Sequence, residues 1–413
     1  MARSIVLIDG DVRLAMACVD LIGLQYPAVL EIRRGLPKFA HVMVSSSHNH
    51  HAPDTIGLWG PNPLVSGVNQ KYIERVIRDV IDCIGRAEAR AVPVTAKFGT
   101  VAAADLLHDS RLPKVFDGVL RVLSFDRTSD GGRAGLLVQW NCHPEVMGRH
   151  NHSVTADFPA VTVARLKQHY QCPIAYFSGA VGGLMTPPGD KFKDATGQSV
   201  ADETFPYVEL YGNAVAERAQ NAIDAAQPIE LVPIAIATRP VLVPLENPIY
   251  QMARVAGLIE REAFVWTGDA EAIGEPLAAT ASSQGKRLAV KSEVGCLRLG
   301  ELHVACIPGE LYPELVYGEF PAMAEAGVDF PEATLETPVA KILPGKRWLL
   351  FGLANDEIGY IIPKRQWDQR PPFAYGRKTS QYGEINSCGP DVADLLMRAL
   401  ERRYNELQRP ARN

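Results

Sequence analysis

The sequence predicts an α/β fold: one large domain of mixed β-sheets flanked by helices in layers, spanning residues 1–413. Three observations carry that reading. Short runs rich in Val and Ile alternate with amphipathic stretches along most of the chain, the pattern of strands interleaved with helices. No repeat, low-complexity segment or linker divides the sequence. Apolar residues make up 47% and charged residues 22%, the balance of an ordinary globular chain with material for a large core.

The elements follow in order. Ser4–Ile8 and Val12–Asp20 flank Gly10 and read as a hairpin. Tyr26–Leu36 reads as a short helix and Ala40–Ser47 as a strand. In Val68–Ala91 the apolar positions Ile73, Val76, Ile77, Val80, Ile81 and Ile84 recur at helical spacing. Val92–Val101 returns to strand, and Asp130-Gly131-Gly132 joins Val119–Phe125 to Gly135–Trp140 as a hairpin. Asp157–His169 is helical with Asp157 as its N-cap. Pro173–Phe177 is a buried strand running into the glycine-rich Ser178–Gly183. Tyr207–Ala226 is an amphipathic helix, and Ile229–Leu245 holds one long strand or two short ones. Glu260–Arg287 is Ala-rich, weakly patterned and reads as helix. Val294–Leu299 and Leu302–Ile307 form a hairpin about Gly300, after which Pro308-Gly309-Glu310 opens a helix to about Ala326. Trp348–Ala354 is a strand, and Pro390–Leu407 closes the chain as a helix.

Bulk properties exclude several classes. A net charge of −5 without a basic tract argues against a nucleic-acid partner. The seven cysteines are scattered with no C-x-x-C pair, which fits small buried hydrophobes better than a disulfide framework. No run reaches the ~18 apolar residues of a membrane span, and no aromatic stripe marks a lipid-binding surface. Met1-Ala2-Arg3-Ser4 leads straight into Ile5–Ile8 and is broken by Asp9 and Asp11. That is a strand rather than a signal peptide, so a cytoplasmic location is expected. The sequence is silent on oligomeric state.

The chemistry concentrates in Ser45-Ser46-Ser47-His48-Asn49-His50-His51-Ala52-Pro53, which holds three of the ten histidines. Side chains two apart on an extended strand share a face, so His48 and His50 face one cleft together. Three further segments place metal-type ligands just after a strand: His143 in Asn141-Cys142-His143-Pro144-Glu145, Glu310, and Tyr360 in Asn355-Asp356-Glu357-Ile358-Gly359-Tyr360. Zinc accepts imidazole nitrogen and carboxylate oxygen, and a catalytic zinc site keeps room for water. Each residue also has a plainer reading. An isolated H-x-H is usually surface or core histidine. Glu310 in a first helical turn complements the helix dipole, and Tyr360 is an ordinary strand aromatic. His150 and His152 read as solvent-facing, and Glu145 as a weak general-base candidate.

Taken in order and spacing, the motifs resemble the catalytic domain of the neutral/alkaline, non-lysosomal ceramidase family. They are His48-x-His50, His143-Pro144, Ala156-Asp157-Phe158-Pro159, Pro308-Gly309-Glu310, Gly359-Tyr360 and Tyr382-Gly383-Glu384-Ile385-Asn386-Ser387-x-Gly389-Pro390. The resemblance covers nearly the whole chain, but lacks the family's opening segment and its β-rich C-terminal domain. It implies a zinc-dependent hydrolase that cleaves an amide, N-acyl or ceramide-like, through metal-activated water. His48, His143, Glu310 and Tyr360 are the implied zinc ligands. His50, Tyr382 and, by a looser match, Arg111 in Asp109-Ser110-Arg111 are the implied catalytic groups that steady the tetrahedral intermediate. Four protein ligands fill a tetrahedron, so this mechanism requires five-coordination or a displaceable Tyr360.

One departure stands out. Where the family has a Gly-Asp-x-Ser-Pro stretch with a catalytic serine, this chain reads Gly179-Ala180-Val181-Gly182-Gly183-Leu184-Met185-Thr186-Pro187-Pro188. Its backbone N–H groups are then candidates for holding an oxyanion. The alternatives are a hydrolase of a small polar amide or ester, and a non-catalytic ligand-binding relative.

Overall fold

Three β-sheets, each backed by helices on its outer face, meet along their inner faces. The structure, a computed structural model, describes residues 1–62, 64–189, 191–278, 283 and 285–409. In the first sheet Ala2–Asp9 pairs antiparallel with Val12–Val19, which runs parallel to His41–Ser46. The second is built around Val94–Ala102, Val119–Arg127 and Arg133–Trp140, all antiparallel, with Ile174–Ser178 parallel at one edge. The third centres on Leu288–Leu299, flanked by Ile234–Pro244 and Leu302–Cys306, and Trp348–Phe351 runs parallel to the latter. The predicted α/β class with mixed sheets is what the chain adopts.

Burial explains the layering. Leu14, Met16 and Met43 of the first sheet share one core with Phe98, Leu123 and Phe177 of the second and Leu297, Val304 and Phe351 of the third. Phe177 and Phe351 stack at 4.4 Å between ring centroids, an offset contact that adds to their area burial. On the outer faces, Tyr26–Arg34 and Gln70–Glu88 cover the first sheet, Asp157–Tyr170 and Phe205–Asp224 the second, and Val392–Gln408 the third. Strands buried on both faces need continuous apolar runs, which is why Leu14–Val19 and Val42–Val44 contain no charge.

Where the sheets meet, the strand ends are stitched together. Ser45 Oγ donates to the Gly352 carbonyl at 2.8 Å and Ser178 Oγ to the Ser47 carbonyl at 2.7 Å. Gly352 N–H donates to the Ser178 carbonyl at 3.0 Å, and Asn355 Oδ1 accepts from Val44 N–H at 3.0 Å. The approach is close enough that a Cβ on Gly352 would lie 2.2 Å from the Gly179 carbonyl oxygen, so no larger residue fits without moving backbone.

A buried ion pair ties the same region from outside. Arg33 grips Glu293 through two nitrogens, both at 2.7 Å. Glu293 also accepts from Tyr26 Oη at 3.1 Å and from Asn355 Nδ2 at 2.8 Å. Burial alone would raise the Glu293 pKa, but the Arg33 hydrogen bonds and charge outweigh it and hold the carboxyl below its ordinary value.

Several expected elements differ. Pro308-Gly309-Glu310 does not open a long helix. Glu310–Leu311 forms a short parallel pairing with Tyr360–Ile361, and helix is confined to Glu314–Tyr317, ended by Gly318 at φ +80°. Glu260–Arg287 is not helical in its described part. Ala263–Val265 and Pro276–Leu277 pair with each other, and the former also pairs with Leu288–Val290, so sheet pairing overrides alanine propensity. Residues 279–282 and 284 of that stretch lie outside the described residues. A helix at Pro248–Val255 escaped the pattern reading although Asn247-Pro248 marks its start: the Asn247 side chain accepts from Ile249 and Tyr250 N–H. Asp157 is not the N-cap but the first helical residue, at φ 51°. Its carboxylate accepts from Phe158 and Met147 N–H at 2.6 and 3.3 Å, clamping the preceding loop onto the helix.

Two outcomes follow for stability. Arg33→Met, which strands a buried carboxylate, is expected to cost about 3–5 kcal/mol in urea unfolding. Because the folded pKa of Glu293 is depressed, its contribution is complete above the unfolded carboxyl pKa and lost as pH falls through the folded value. Acidification should therefore lower the wild-type urea midpoint more steeply than that of Glu293→Gln.

Candidate metal centre and active-site cavity

Each segment of the centre leaves the C-terminal end of a strand in the stitched region: His48 and His50 after His41–Ser46, His143 after Arg133–Trp140, Glu310 after Leu302–Cys306, and Tyr360 after Trp348–Phe351. Parallel pairing brings those ends to one side of the molecule.

His48 Nδ1 lies 2.7 Å from the Ile22 carbonyl oxygen, and His143 Nδ1 lies 3.0 Å from that of Met185. A carbonyl oxygen only accepts, so both Nδ1 atoms carry protons and both Nε2 atoms are left as the inward-facing groups. Those two Nε2 atoms converge on a single oxygen, Glu310 Oε2, at 3.2 Å from His48 and 2.9 Å from His143. The His48 and His50 rings are 4.8 Å apart, His48 and His143 also 4.8 Å, and His50 and His143 5.6 Å. One ligand nitrogen from each of the three histidines falls within 4.8 Å of the others, a grouping able to hold a metal ion.

The electrostatics are those of a site built for positive charge. Burial disfavours charge on His48, but the Glu310 carboxylate and its hydrogen bond outweigh that and lift its pKa to about 9. Burial likewise opposes ionisation of Glu310, yet the imidazoles of His48 and His143 hold it well below the ordinary range. His50 is pushed well below its usual value by burial and then by its two histidine neighbours. An imidazolium and a dication are alternative ways of neutralising the same carboxylate.

His48 and His50 do converge, but strand alternation is not the cause. The strand ends at Ser46, and His48 sits at φ 65°, in the left-handed region that residues with a Cβ seldom occupy. That turn swings its ring toward Glu310. His50 N–H donates to the Pro144 carbonyl at 3.1 Å, which fixes this loop to the one carrying His143.

His48, His50, Glu310, Tyr360 and Tyr382 line one cavity. Tyr360 is in register with Glu310 across the short parallel pairing and packs edge-on to Tyr382, ring centroids 5.9 Å apart. Burial, then the Glu310 charge, raises the pKa of both phenols and keeps them protonated at neutral pH. Glu145 Oε2 lies 3.7 Å from His50 Nδ1. His150 and His152 are exposed, as expected.

Arg111 is placed differently from a substrate-contacting group. It is buried behind the Tyr382 segment, bidentate to Glu384 at 2.7 and 3.0 Å, and donates to the Tyr382 carbonyl at 2.7 Å. The glycine-rich turn also has another use. Gly179 N–H donates to the Trp140 carbonyl, Ala180 N–H to Asn141 Oδ1 and Gly182 N–H to the Leu311 carbonyl, so these amides are spent inside the fold. A Cβ on Gly182 would meet the Glu310 carbonyl at 2.7 Å; the turn is a wedge that supports the Glu310 strand. Asp157 does not reach His143. Its Oδ2 lies 3.5 Å from His51 Nε2, and burial pushes its pKa up to about 7 against the two amide hydrogen bonds.

The absence of an exposed apolar surface is corrected by the tertiary structure. Leu58 and Trp59 line the cavity and remain 37% and 55% exposed. Ile249 and Met252, on the helix that contributes Tyr250 to the cavity wall, are exposed as well. Sequence patterning missed this because a rim assembled from a loop and a helix has no period in either segment. Glu357 and the Ile22 carbonyl are further site groups that residue type alone did not single out, although Glu357 lies within the motif that ends in Tyr360.

No protein-family model matches the chain, and no curated protein does. Among solved structures, the chain is similar to a neutral ceramidase from Pseudomonas aeruginosa, with a TM-score of 0.69 at 15% identity over 96% of this chain and 66% of that one. It is likewise similar to a ceramidase described as complexed with C2, with a TM-score of 0.68 at 16% identity over 98% of this chain and 69% of that one. The chain thus spans about two thirds of the length of these structures. At such identity the likeness establishes a shared fold.

Arg111→Met, which leaves the Glu384 carboxylate buried and unpaired, is expected to lose about 3–5 kcal/mol of stability in chemical denaturation. Arg111→Lys keeps the charge without the two-pronged grip and should fall between that variant and wild type.

Proposed function

We propose that this chain is a zinc-dependent hydrolase of an amide with a substantial apolar part. One observation carries the reading: two histidines, each with Nδ1 committed to a backbone carbonyl, aim their Nε2 atoms at the same carboxylate oxygen. At 2.9–3.2 Å these atoms need positive charge among them, which a metal ion supplies in place of an imidazolium proton. Carbonyl-anchored imidazoles are the usual outer support of metal ligands. The nitrogen and oxygen donor set suits zinc, with His48, His143 and Glu310 as ligands and Tyr360 as the fourth. Bound there, zinc supplies a Lewis acid and a water ionised near neutral pH.

The remaining residues prepare the substrate. His50 and Tyr382 flank the approach to Glu310 and present hydrogen-bond donors to the carbonyl oxygen as it gains charge. Glu145 orients His50, and Arg111 acts through the Tyr382 backbone. The glycine-rich turn holds Glu310 forward and carries no serine, so the nucleophile in this reading is water. An apolar cavity with an exposed Leu58–Trp59 rim favours an amide with an apolar body, in keeping with the ceramidases whose fold the chain shares. No helix among the described residues is long and apolar enough to cross a membrane, so a lipid-like substrate would be reached through this rim.

Metal analysis of the purified protein tests the reading. About one zinc per chain is expected, with Glu310→Gln and His143→Ala each weakening zinc affinity by at least about 100-fold. Chelation should abolish hydrolysis of short- and long-chain N-acyl substrates, and zinc readdition should restore it. Activity unmoved by chelation rejects the proposal.

A further inference from the structure

We propose that Glu357 is a specificity-determining residue whose free oxygen binds a hydroxyl group on the apolar part of the substrate. The inference rests on the hydrolytic cavity described above and assigns a subsite on its wall beside the centre. Glu357 lines that cavity together with Ile22, Ile56, Leu245, Val290 and Ile358. It is 7% exposed. Its Cβ and Cγ pack so closely on Gly23 that a side chain there would lie 2.5 Å from the Glu357 Cβ. Oε1 accepts from Gly359 N–H at 2.7 Å, which fixes the carboxyl group, while Oε2 has no hydrogen-bond partner among the described residues.

A buried carboxyl oxygen without a partner is costly. The cationic groups beside it do not relieve it: His48 Nε2 is aimed at Glu310 Oε2 at 3.2 Å, and the Arg261 guanidinium is bound to the Asp356 carboxylate and reaches Glu357 only at its backbone carbonyl, at 3.5 Å. Gln25, Tyr250 and Asn386 also line the cavity, and none of them bonds to Oε2. The partner therefore comes with the ligand. A hydroxyl satisfies Oε2 whether the carboxyl is ionised or protonated, because it both donates and accepts. An ammonium fits only the ionised form and a carbonyl only the protonated one. Around the hydroxyl, Ile22, Ile56, Leu245, Val290 and Ile358 suit a hydrocarbon surface.

A site that hydrogen-bonds a substrate hydroxyl rejects the analogue lacking it far more strongly than an apolar pocket rejects a missing methylene. The test compares N-butyryl-leucinol with its deoxy counterpart, and with the counterpart in which an amine replaces the hydroxyl. The zinc-loaded wild type, Glu357→Gln and Glu357→Leu are the three proteins. Wild type is expected to favour the hydroxyl amide by about 10-fold or more in kcat/KM, expressed mainly in KM. Glu357→Leu should abolish the preference and Glu357→Gln should retain part of it, with thermal unfolding confirming that both fold. A wild-type preference for the deoxy or the amino counterpart overturns the assignment, as does an unchanged preference in Glu357→Leu. If no amide is turned over, the hydrolase reading fails separately. Calorimetric binding of leucinol itself then decides the subsite: weakening by about 10-fold or more in Glu357→Leu supports it, and absence of wild-type binding overturns it.

Discussion

The meeting of three strand ends at Ser45, Ser178 and Gly352 is the constraint on which the rest of the molecule depends. Each sheet covers its outer face with helices and has only its inner face left to bury, so the three inner faces close on one another. At the cavity end of that shared core the backbones approach until only glycine fits between Gly352 and the Gly179 carbonyl. Serine hydroxyls take up the carbonyls that the crossing leaves unpaired. Everything with chemical capability is carried on loops that spring from this junction, and its rigidity is what allows atoms from distant parts of the chain to be placed within hydrogen-bonding distance.

That rigidity matters because the centre requires positive charge among its donors. Imidazole nitrogens and a carboxylate oxygen held face to face are stable only when a proton on a ring or a cation supplies that charge. A flexible scaffold would let the groups relax apart and hydrate. Here the Ile22 and Met185 carbonyls hold the two rings from behind, and the glycine-rich turn holds Glu310 from below. The same scaffold carries the buried Arg33–Glu293 and Arg111–Glu384 pairs at its flanks. Such pairs add little net stability but penalise any arrangement that separates them. The fold is thereby committed to one geometry of its loops.

The cavity differs in character from the centre it adjoins. Its wall includes an apolar stretch of Ile22, Ile56, Leu245, Val290 and Ile358, its rim exposes Leu58 and Trp59, and Glu357 Oε2 has no partner among the described residues. A ligand with hydrocarbon surface and one polar substituent answers all three features, whereas a small, uniformly polar amide answers only the last.

The residues themselves determined the class of the fold and most of its elements, because strand alternation, helical periodicity and Asp-Gly turns act over a few residues and are visible locally. Metal-type ligands were also legible by residue type: His48, His143 and Glu310 do converge. Tertiary structure alone decided how. His48 turns inward through a left-handed backbone rather than strand alternation, and Glu310 lies in a two-residue parallel pairing rather than a helix. Arg111 is held by Glu384 behind the Tyr382 segment, and the glycine-rich turn spends the amides of Gly179, Ala180 and Gly182 on the interior. Several of these depend on partners more than a hundred residues away, such as Glu384 for Arg111, Leu311 for Gly182 and Glu310 for His143 at 2.9 Å. Hydrogen bonds and contacts at that sequence distance leave no trace in local pattern; they exist only once the sheets have closed.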